Sequence, residues 1–280
     1  MVQIAVLGMA VEESAHLPSG RLVRTVGGSA VNVAIGLRLW GLAPTLVVGG
    51  SAAALSRLRK SGLFGSGLIP VVGPPVKSTV EVGPQGSSTV AFATAAMPPF
   101  DRVPPADLVI FSGFDLLAAP ALFSATMDRL RQAGSRLWLD AGPAARHPSL
   151  LGPCLPALDA LFLNLEEASS FTGLSQPGRM LRRIPVPEVH IKLGALGSIA
   201  RRQALTLRAA PHPAQAVDST GAGDFYLAAA AATRHLPLSA TLAAANRLGA
   251  LATEVQGAGL QLAVLAPSAS TVRGSSRADD

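Results

Sequence analysis

Short apolar runs rich in β-branched residues alternate with helix-patterned stretches along most of this chain, and this alternation limits its fold more than any other feature. VQIAVLG (Val2–Gly8) reads as a buried strand, stopped by glycine. GSAVNVAIGLRLW (Gly28–Trp40) reads as a helix with an apolar face, ended by Gly41, and PTLVVG (Pro44–Gly49) as the next strand. Strand, helix and strand in that order predict a parallel sheet. The pattern resumes with DLVIFSG (Asp107–Gly113), a helix over Ala119–Gln132, RLWLD (Arg136–Asp140), ALFLN (Ala160–Asn164) and EVHIKLG (Glu188–Gly194). SIARR and ALTLRA then predict a hairpin, followed by helices over Ala222–Thr233 and Ser239–Glu254.

The middle of the chain differs. From Leu68 to Ala96 the runs IPVV, STVEV and STVAFATA are β-prone and broken by Gly, Pro and Ser. They predict a small antiparallel sheet on one edge, to which RLVRTV (Arg21–Val26) adds a strand. Residues 1–266 are expected to form one α/β domain, with lid strands at 21–27 and 68–96. Residues 267–280, rich in Ser, Arg and Asp, are expected to be a disordered tail.

Hydrophobic residues make up 49% of the 280 residues and charged residues 14%, which favours a sizeable folded core. The formal charge of +6 favours anionic partners in general. The cations are scattered with no aromatic stripe among them, so nucleic acid is not an expected partner. The cluster Arg57, Arg59 and Lys60 reads as a solvated helix face. The single cysteine, Cys154, excludes an internal disulfide, and its neighbourhood does not resemble a metal site. No signal peptide is read at the N-terminus, and the apolar run Leu227–Thr233 is too short for a membrane span. A cytoplasmic protein with no membrane partner is the expectation.

Three strands end on polar residues: Asp140, Asn164 and Lys192. In open α/β sheets ligands bind outside the carboxyl ends of the strands, so these three are candidates to line one crevice. The most chemically specific string is DSTGAGD, Asp218–Asp224. Gly221 and Gly223 flank Ala222, and a helix-forming run starts at once. Backbone N–H groups at such a helix start make an anion site. Asp224, in the first helical turn, is placed to accept a proton from a hydroxyl that attacks phosphorus. Taken alone, the string reads equally as a tight turn with a carboxylate that favours a helix start. No GxxxxGKS/T, strand-linked GxGxxG, HExxH or GxSxG is present, which argues against P-loop, dinucleotide, zinc-protease and α/β-hydrolase readings. GLFGSGL (Gly62–Leu68) reads as a loop.

Five ordered motifs resemble the ribokinase-like (PfkB) carbohydrate kinase family. They are GGSAVNVAIGLRLWGL (Gly27–Leu42), LDAGPAAR (Leu139–Arg146), NLEEA (Asn164–Ala168), IKLGALG (Ile191–Gly197) and VDSTGAGDF (Val217–Phe225). The resemblance runs from about residue 2 to about 265. It implies a central, mostly parallel sheet with helices on both faces and a small β-sheet lid. It also implies transfer of a phosphoryl group from ATP to a hydroxyl of a sugar or sugar-like molecule.

Carried over by position, Asp224 would be the catalytic base and Gly221, Ala222 and Gly223 the anion hole. Glu13, Gly28 and Asn32 would bind the acceptor. Asn164 and Glu167 would act on Mg²⁺ and phosphate, Glu167 through water. Lys192, Gly194 and Gly197 would lie along the nucleotide's phosphates and ribose, and Asn246 and Gly257 beside its adenine. Asp218 and Thr220 are candidate neighbours of a monovalent cation such as K⁺. The lid would cover the acceptor and is a candidate surface for a homodimer.

The chain departs from the family at the acceptor end. GMAVEES offers Glu13 where many members carry Asp, VVGGSAAA lacks the Asp of G-x-D-x-x-G, and DAGPAAR has lost an Asn. Two alternatives stay open: a nucleoside acceptor, against which the sparse aromatic content weighs mildly, and a catalytically silent sugar or nucleotide sensor.

Overall fold

The structure is a computed structural model that describes residues 2–16, 20, 22–82, 88–93, 98–255 and 257. The strands are β1 (Ile4–Met9), β2 (Val11–His16), β3 (Leu22–Gly27), β4 (Thr45–Gly50), β5 (Leu68–Val72), β6 (Val76–Val82), β7 (Ser88–Ala93), β8 (Leu108–Ser112), β9 (Arg136–Asp140), β10 (Ala160–Asn164), β11 (Glu188–Lys192), β12 (Ser198–Arg202) and β13 (Leu205–Ala209). The α-helices are α1 (Ser29–Leu39), α2 (Ala52–Lys60), α3 (Gly113–Ala118), α4 (Pro120–Gln132), α5 (Pro148–Leu151), α6 (Leu165–Thr172), α7 (Pro177–Arg183), α8 (Ala222–Ala232) and α9 (Leu238–Thr253).

Nine strands form one sheet in the order β13-β12-β11-β10-β9-β8-β1-β4-β5. Pairing is parallel from β11 through β5 and antiparallel only at the β11–β12–β13 edge. Alternate strand residues feed two cores, which is why the strands read as continuous apolar runs. Ile4, Val6, Leu46, Val48, Ile110 and Phe162 face one way, toward buried residues of α1, α8 and α9. Ala5, Leu7, Val47, Phe111, Leu139 and Leu163 face the other, toward buried residues of α4 and α7.

From β1 the chain builds outward through β4 to β5, then returns to place β8 on the other side of β1. The carboxyl ends of β1 and β8 therefore flank a topological switch point, where a crevice must open. Over it lies a second sheet, in the order β3-β2-β6-β7. Only Ala10 separates β1 from β2, so one run of chain serves both sheets.

The middle of the chain corrects the expectation in two respects. Leu68–Val72, expected in the small sheet, pairs in parallel with β4 and forms an edge of the large one. The small sheet is mixed rather than antiparallel, because β2 pairs in parallel with β6. The strand that makes it so, Val11–His16, was not expected. It buries Glu13 where an alternating pattern calls for an apolar residue, so its hydropathy hides it. The expected tail from Pro267 lies outside the described residues, as do Arg21, residues 94–96, Gln256, Ala258 and Gly259. Arg57, Arg59 and Lys60 belong to α2, whose buried residues are Ala54, Leu55 and Leu58, and Cys154 is a buried free thiol.

Candidate active site

Asp224 is the third residue of α8, whose cap is Gly221 in the left-handed conformation (φ 77°). Helix α8 packs on α1, with Phe225 and Ala228 against Gly36, which brings the two helix starts together across 195 residues of chain. Ser29 Oγ donates to Asp224 Oδ1 at 2.6 Å, and Asn32 Nδ2 donates to Asp224 Oδ2 at 2.8 Å. Burial pushes the Asp224 carboxyl up to about 6, helped by the charge of Asp140 and opposed by the Ser29 and Asn32 donors and by Lys192. A carboxylate poised there is ionised at neutral pH yet basic enough to take a proton.

The glycine turn before Asp224 is shaped by what lies beneath it. The N–H groups of Ala222 and Asp224 close turns on the carbonyls of Ser219 and Gly221. A Cβ built on Gly223 would stand 2.9 Å from Lys192 Nζ. Lys192, at the end of β11, donates to Asp140 Oδ1 and Oδ2 at 3.1 and 2.9 Å, and Asp140 ends β9. Burial works against the Lys192 charge, but Asp140 and Glu167 outweigh it and hold the ammonium above its ordinary range. Asp140 and Lys192, candidates for one crevice on their strand-end positions, thus meet.

Asn164 and Glu167 form a capping box on α6. Asn164 Oδ1 accepts from the Glu167 N–H at 2.8 Å, and Glu167 Oε2 accepts from the Asn164 N–H at 2.7 Å. Burial pushes the Glu167 carboxyl upward, with Lys192 pulling it back. The two carboxylates around Lys192 and the Asn164 carboxamide give a set of oxygen donors suited to a hard cation and to phosphate-bound water.

Asp218 is fully buried and ties two loops together: Oδ1 accepts from the Thr220 N–H and Oδ2 from the Gly257 N–H, each at 2.9 Å. Gly194 and Gly197 lie in the turn after β11, both at positive φ. A Cβ on Gly197 would stand 2.2 Å from the Ala209 carbonyl, so the turn packs directly on the strand beyond it. Asn246 of α9 donates to the Ala210 carbonyl at 2.8 Å, which puts it beside that same turn.

On the other side of Asp224, Gly28 caps α1 at φ 103°, and a Cβ there would stand 2.4 Å from the Met9 carbonyl. The backbone of Gly28 hydrogen-bonds the Glu13 carboxylate. Burial, reinforced by the charges of Asp224 and Asp218, pushes Glu13 up to about 7. Asn32 Oδ1 is buried without a partner. Between these residues and β8 lies a cleft lined by Gly28, Ser29, Met9, Phe114 and Asp115 among others. Asp115 is buried, accepts from the Ser112 N–H at 3.0 Å, and is pushed up to about 8 by that burial. Ser29, Phe114 and Asp115 were not singled out in the sequence. Ser112 and Asp115 do carry a legible S-x-x-D capping signal, and Ser29 directly follows the paired glycines.

A family model described as the pfkB family carbohydrate kinase matches residues 2–263. Among solved structures, a fructokinase double mutant from Vibrio cholerae O395, bound to fructose, ADP and potassium, is 17% identical, with 92% of this chain and 94% of that one covered (TM-score 0.78). A nucleoside kinase from Burkholderia thailandensis in complex with inosine is 17% identical, with 91% and 92% covered (TM-score 0.75). Adenosine kinase from Sinorhizobium meliloti is 18% identical, with 90% and 92% covered (TM-score 0.72). At these identities the structural likeness shows the ribokinase-like fold. The family model, which spans nearly the whole chain, carries the assignment: this chain belongs to the pfkB family of carbohydrate kinases.

Proposed function

We propose that this protein transfers the γ-phosphoryl group of ATP, with Mg²⁺, to a hydroxyl of a sugar or sugar-like small molecule, with Asp224 as the base. The observation that carries this reading is the Asp224 carboxylate, held by Ser29 and Asn32 at the start of α8 and beside a glycine turn backed by a lysine.

Asp224 would take the proton of the acceptor hydroxyl as that oxygen attacks phosphorus. The bare backbone of Gly221–Gly223 would let the transferring phosphate approach closely, and Lys192 beneath it would offset the charge gathered on the phosphate oxygens. When bound, MgATP supplies the phosphoryl group and part of its charge neutralisation. Glu167, Asn164 and Asp140 would hold the metal's waters. The Gly194–Gly197 turn, Asn246 and Gly257 would border the nucleotide, and Asp218 and Thr220 a cation such as K⁺. Glu13, Gly28 and Asn32 would hold the acceptor. The small sheet would act as a lid that excludes water, limiting wasteful ATP hydrolysis.

Replacing Asp224 by Asn tests the base. ADP release with an accepted substrate should fall by about a thousandfold or more, while ATP binding by calorimetry persists. Unchanged turnover would remove Asp224 from the chemistry. A silent sensor would bind its ligand yet release no ADP with any acceptor, and the intact Asp224 argues against it.

A further inference from the structure

The cleft beside Asp224 has walls poorly suited to a free sugar. It opens at the switch point between β1 and β8, beneath the small sheet. Met9, Val11, Val76 and Phe114 line it and pack together as an apolar cluster separate from the two main cores. Ser29 lines it too, so the cleft is continuous with the proposed base. Three polar side chains occur in its described wall, and each already has a partner. Ser29 Oγ is on Asp224, Ser112 Oγ accepts from the Phe114 N–H, and Asp115 accepts from the Ser112 N–H. A hexose or pentose lodged there would bury several hydroxyls against hydrocarbon. Each unsatisfied hydroxyl is strongly disfavoured, whereas an apolar planar group is favoured by the same surface.

The inner face of the small sheet repeats this division. Thr25, Glu13 and Ser78 are aligned across β3, β2 and β6, and all three are buried. This polar row runs between two apolar ones, Gly27–Val11–Val76 toward the cleft and Val23–Ala15–Val80 beyond. Ser78 Oγ is buried with no partner, as is Asn32 Oδ1. Acceptors and donors for hydroxyls are therefore gathered near Glu13 and Asn32, next to a compartment that offers hydrocarbon and one aromatic ring. Sparse aromatic content across the chain weighed against a base pocket, but Phe114 is half-buried in this wall.

Resting on the kinase reading above, we infer that the acceptor is a nucleoside, with its sugar between Glu13, Asn32 and Asp224 and its base in the cleft of Met9, Val11, Val76 and Phe114. Asp115 is the one ionisable group in the described wall. Its buried carboxyl, protonated at neutral pH, gives the polar edge of a base an O–H donor.

The test combines turnover with direct binding. ADP release is measured with inosine, adenosine, uridine and cytidine, and with free ribose, fructose and glucose. At least one nucleoside should exceed every free sugar in kcat/KM by about a hundredfold or more. Phe114→Ala should lower that value about tenfold or more, chiefly through the nucleoside KM, with the KM for ATP unchanged. Phe114→Leu, which keeps more of the packing, should fall between the two. Calorimetry of the same compounds with the wild-type protein should show nucleoside binding with a negative heat-capacity change. A free sugar turned over as well as any nucleoside overturns this inference and leaves the kinase reading intact. Nucleoside binding with no ADP release from any nucleoside or free sugar supports the cleft assignment and sinks the kinase reading. Absence of both binding and turnover with every nucleoside overturns the inference.

Discussion

Asn32 donates to the Oδ2 of Asp224 at 2.8 Å while its own carbonyl oxygen is buried without a partner. One amide thus faces two ways, with its N–H on Asp224 and its C=O left open for a donor, a place that the proposed function gives to an acceptor hydroxyl. Ser29, three residues earlier on α1, holds the other oxygen of Asp224. Ser29 and Asn32 thus reach Asp224 from the first turn of one helix, at the edge of the cleft.

The pH profile should report this arrangement. With Asp224 pushed up to about 6, its carboxylate form is lost as pH falls through that value. The acceptor kcat/KM should fall about tenfold per pH unit below it. Ser29 donates to the charged form and so lowers the pKa, and Ser29→Ala should move the acid limb to higher pH. A limb that stays in place would show that Ser29 does not tune the base.

Glu13 should make folding stability depend on pH. Its folded pKa, about 7, lies above the ordinary value of 4.5, so the native state binds the proton more tightly than the unfolded chain. The stability it contributes is full below pH 4.5 and is lost as pH rises to about 7, with a total on the order of 3 kcal/mol. Glu13→Gln removes the titration and keeps an acceptor for the Gly28 backbone. Relative to wild type, the variant should gain stability at pH 8 and gain little at pH 4.5 in urea unfolding. Equal differences at both pH values would remove Glu13 as the source.

The Lys192–Asp140 pair is mostly buried, with side-chain exposures of 15% and 11%. Lys192→Met leaves a buried carboxylate unpaired and should destabilise the fold by about 3–5 kcal/mol. The double variant Lys192→Met, Asp140→Leu should recover much of that stability in a double-mutant cycle, yet stay inactive for lack of the cation under the glycine turn. Recovered activity would show that the pair serves the fold alone.

Gly223 and Gly28 should tolerate a methyl group differently. At Gly223 the added Cβ would meet the flexible end of Lys192, 2.9 Å away, so the fold should survive. Displacing the ammonium should still cost activity, about tenfold or more in kcat. At Gly28 the Cβ would meet the Met9 backbone at 2.4 Å with φ at 103°, so Gly28→Ala should destabilise by several kcal/mol, roughly the upper range for a single change. Thermal melts and kcat for the two variants separate these effects.

The large sheet was legible because its strands are apolar runs that stop on a chemical signal. RLWLD ends at Asp140 and ALFLN at Asn164, and the strands end there too. The Asn164–Glu167 spacing was also legible, and in the structure the same pair caps α6 while Glu167 lies within the electrostatic reach of Lys192. What could not be read depends on pairing between distant segments. IPVV is equally a lid strand or a sheet edge until β4 takes it as a partner. The strand holding Glu13 buries a carboxyl group that burial and the charges of Asp224 and Asp218 push toward its protonated form, which hydropathy along the strand does not reveal. Phe114 and Asp115 reach the cleft only because β8 returns beside β1.

The first turn of α1 answers to two selections at once. Met9, Val11, Val76 and Phe114 line the cleft with apolar side chains, so under the proposed function a lineage drifting toward a new substrate should be able to exchange them one at a time with phosphoryl transfer kept. Ser29 and Asn32 should have no such freedom, because each is bonded to Asp224, the proposed base. New acceptors should therefore arise by remodelling the floor and roof of the cleft around a fixed helix start.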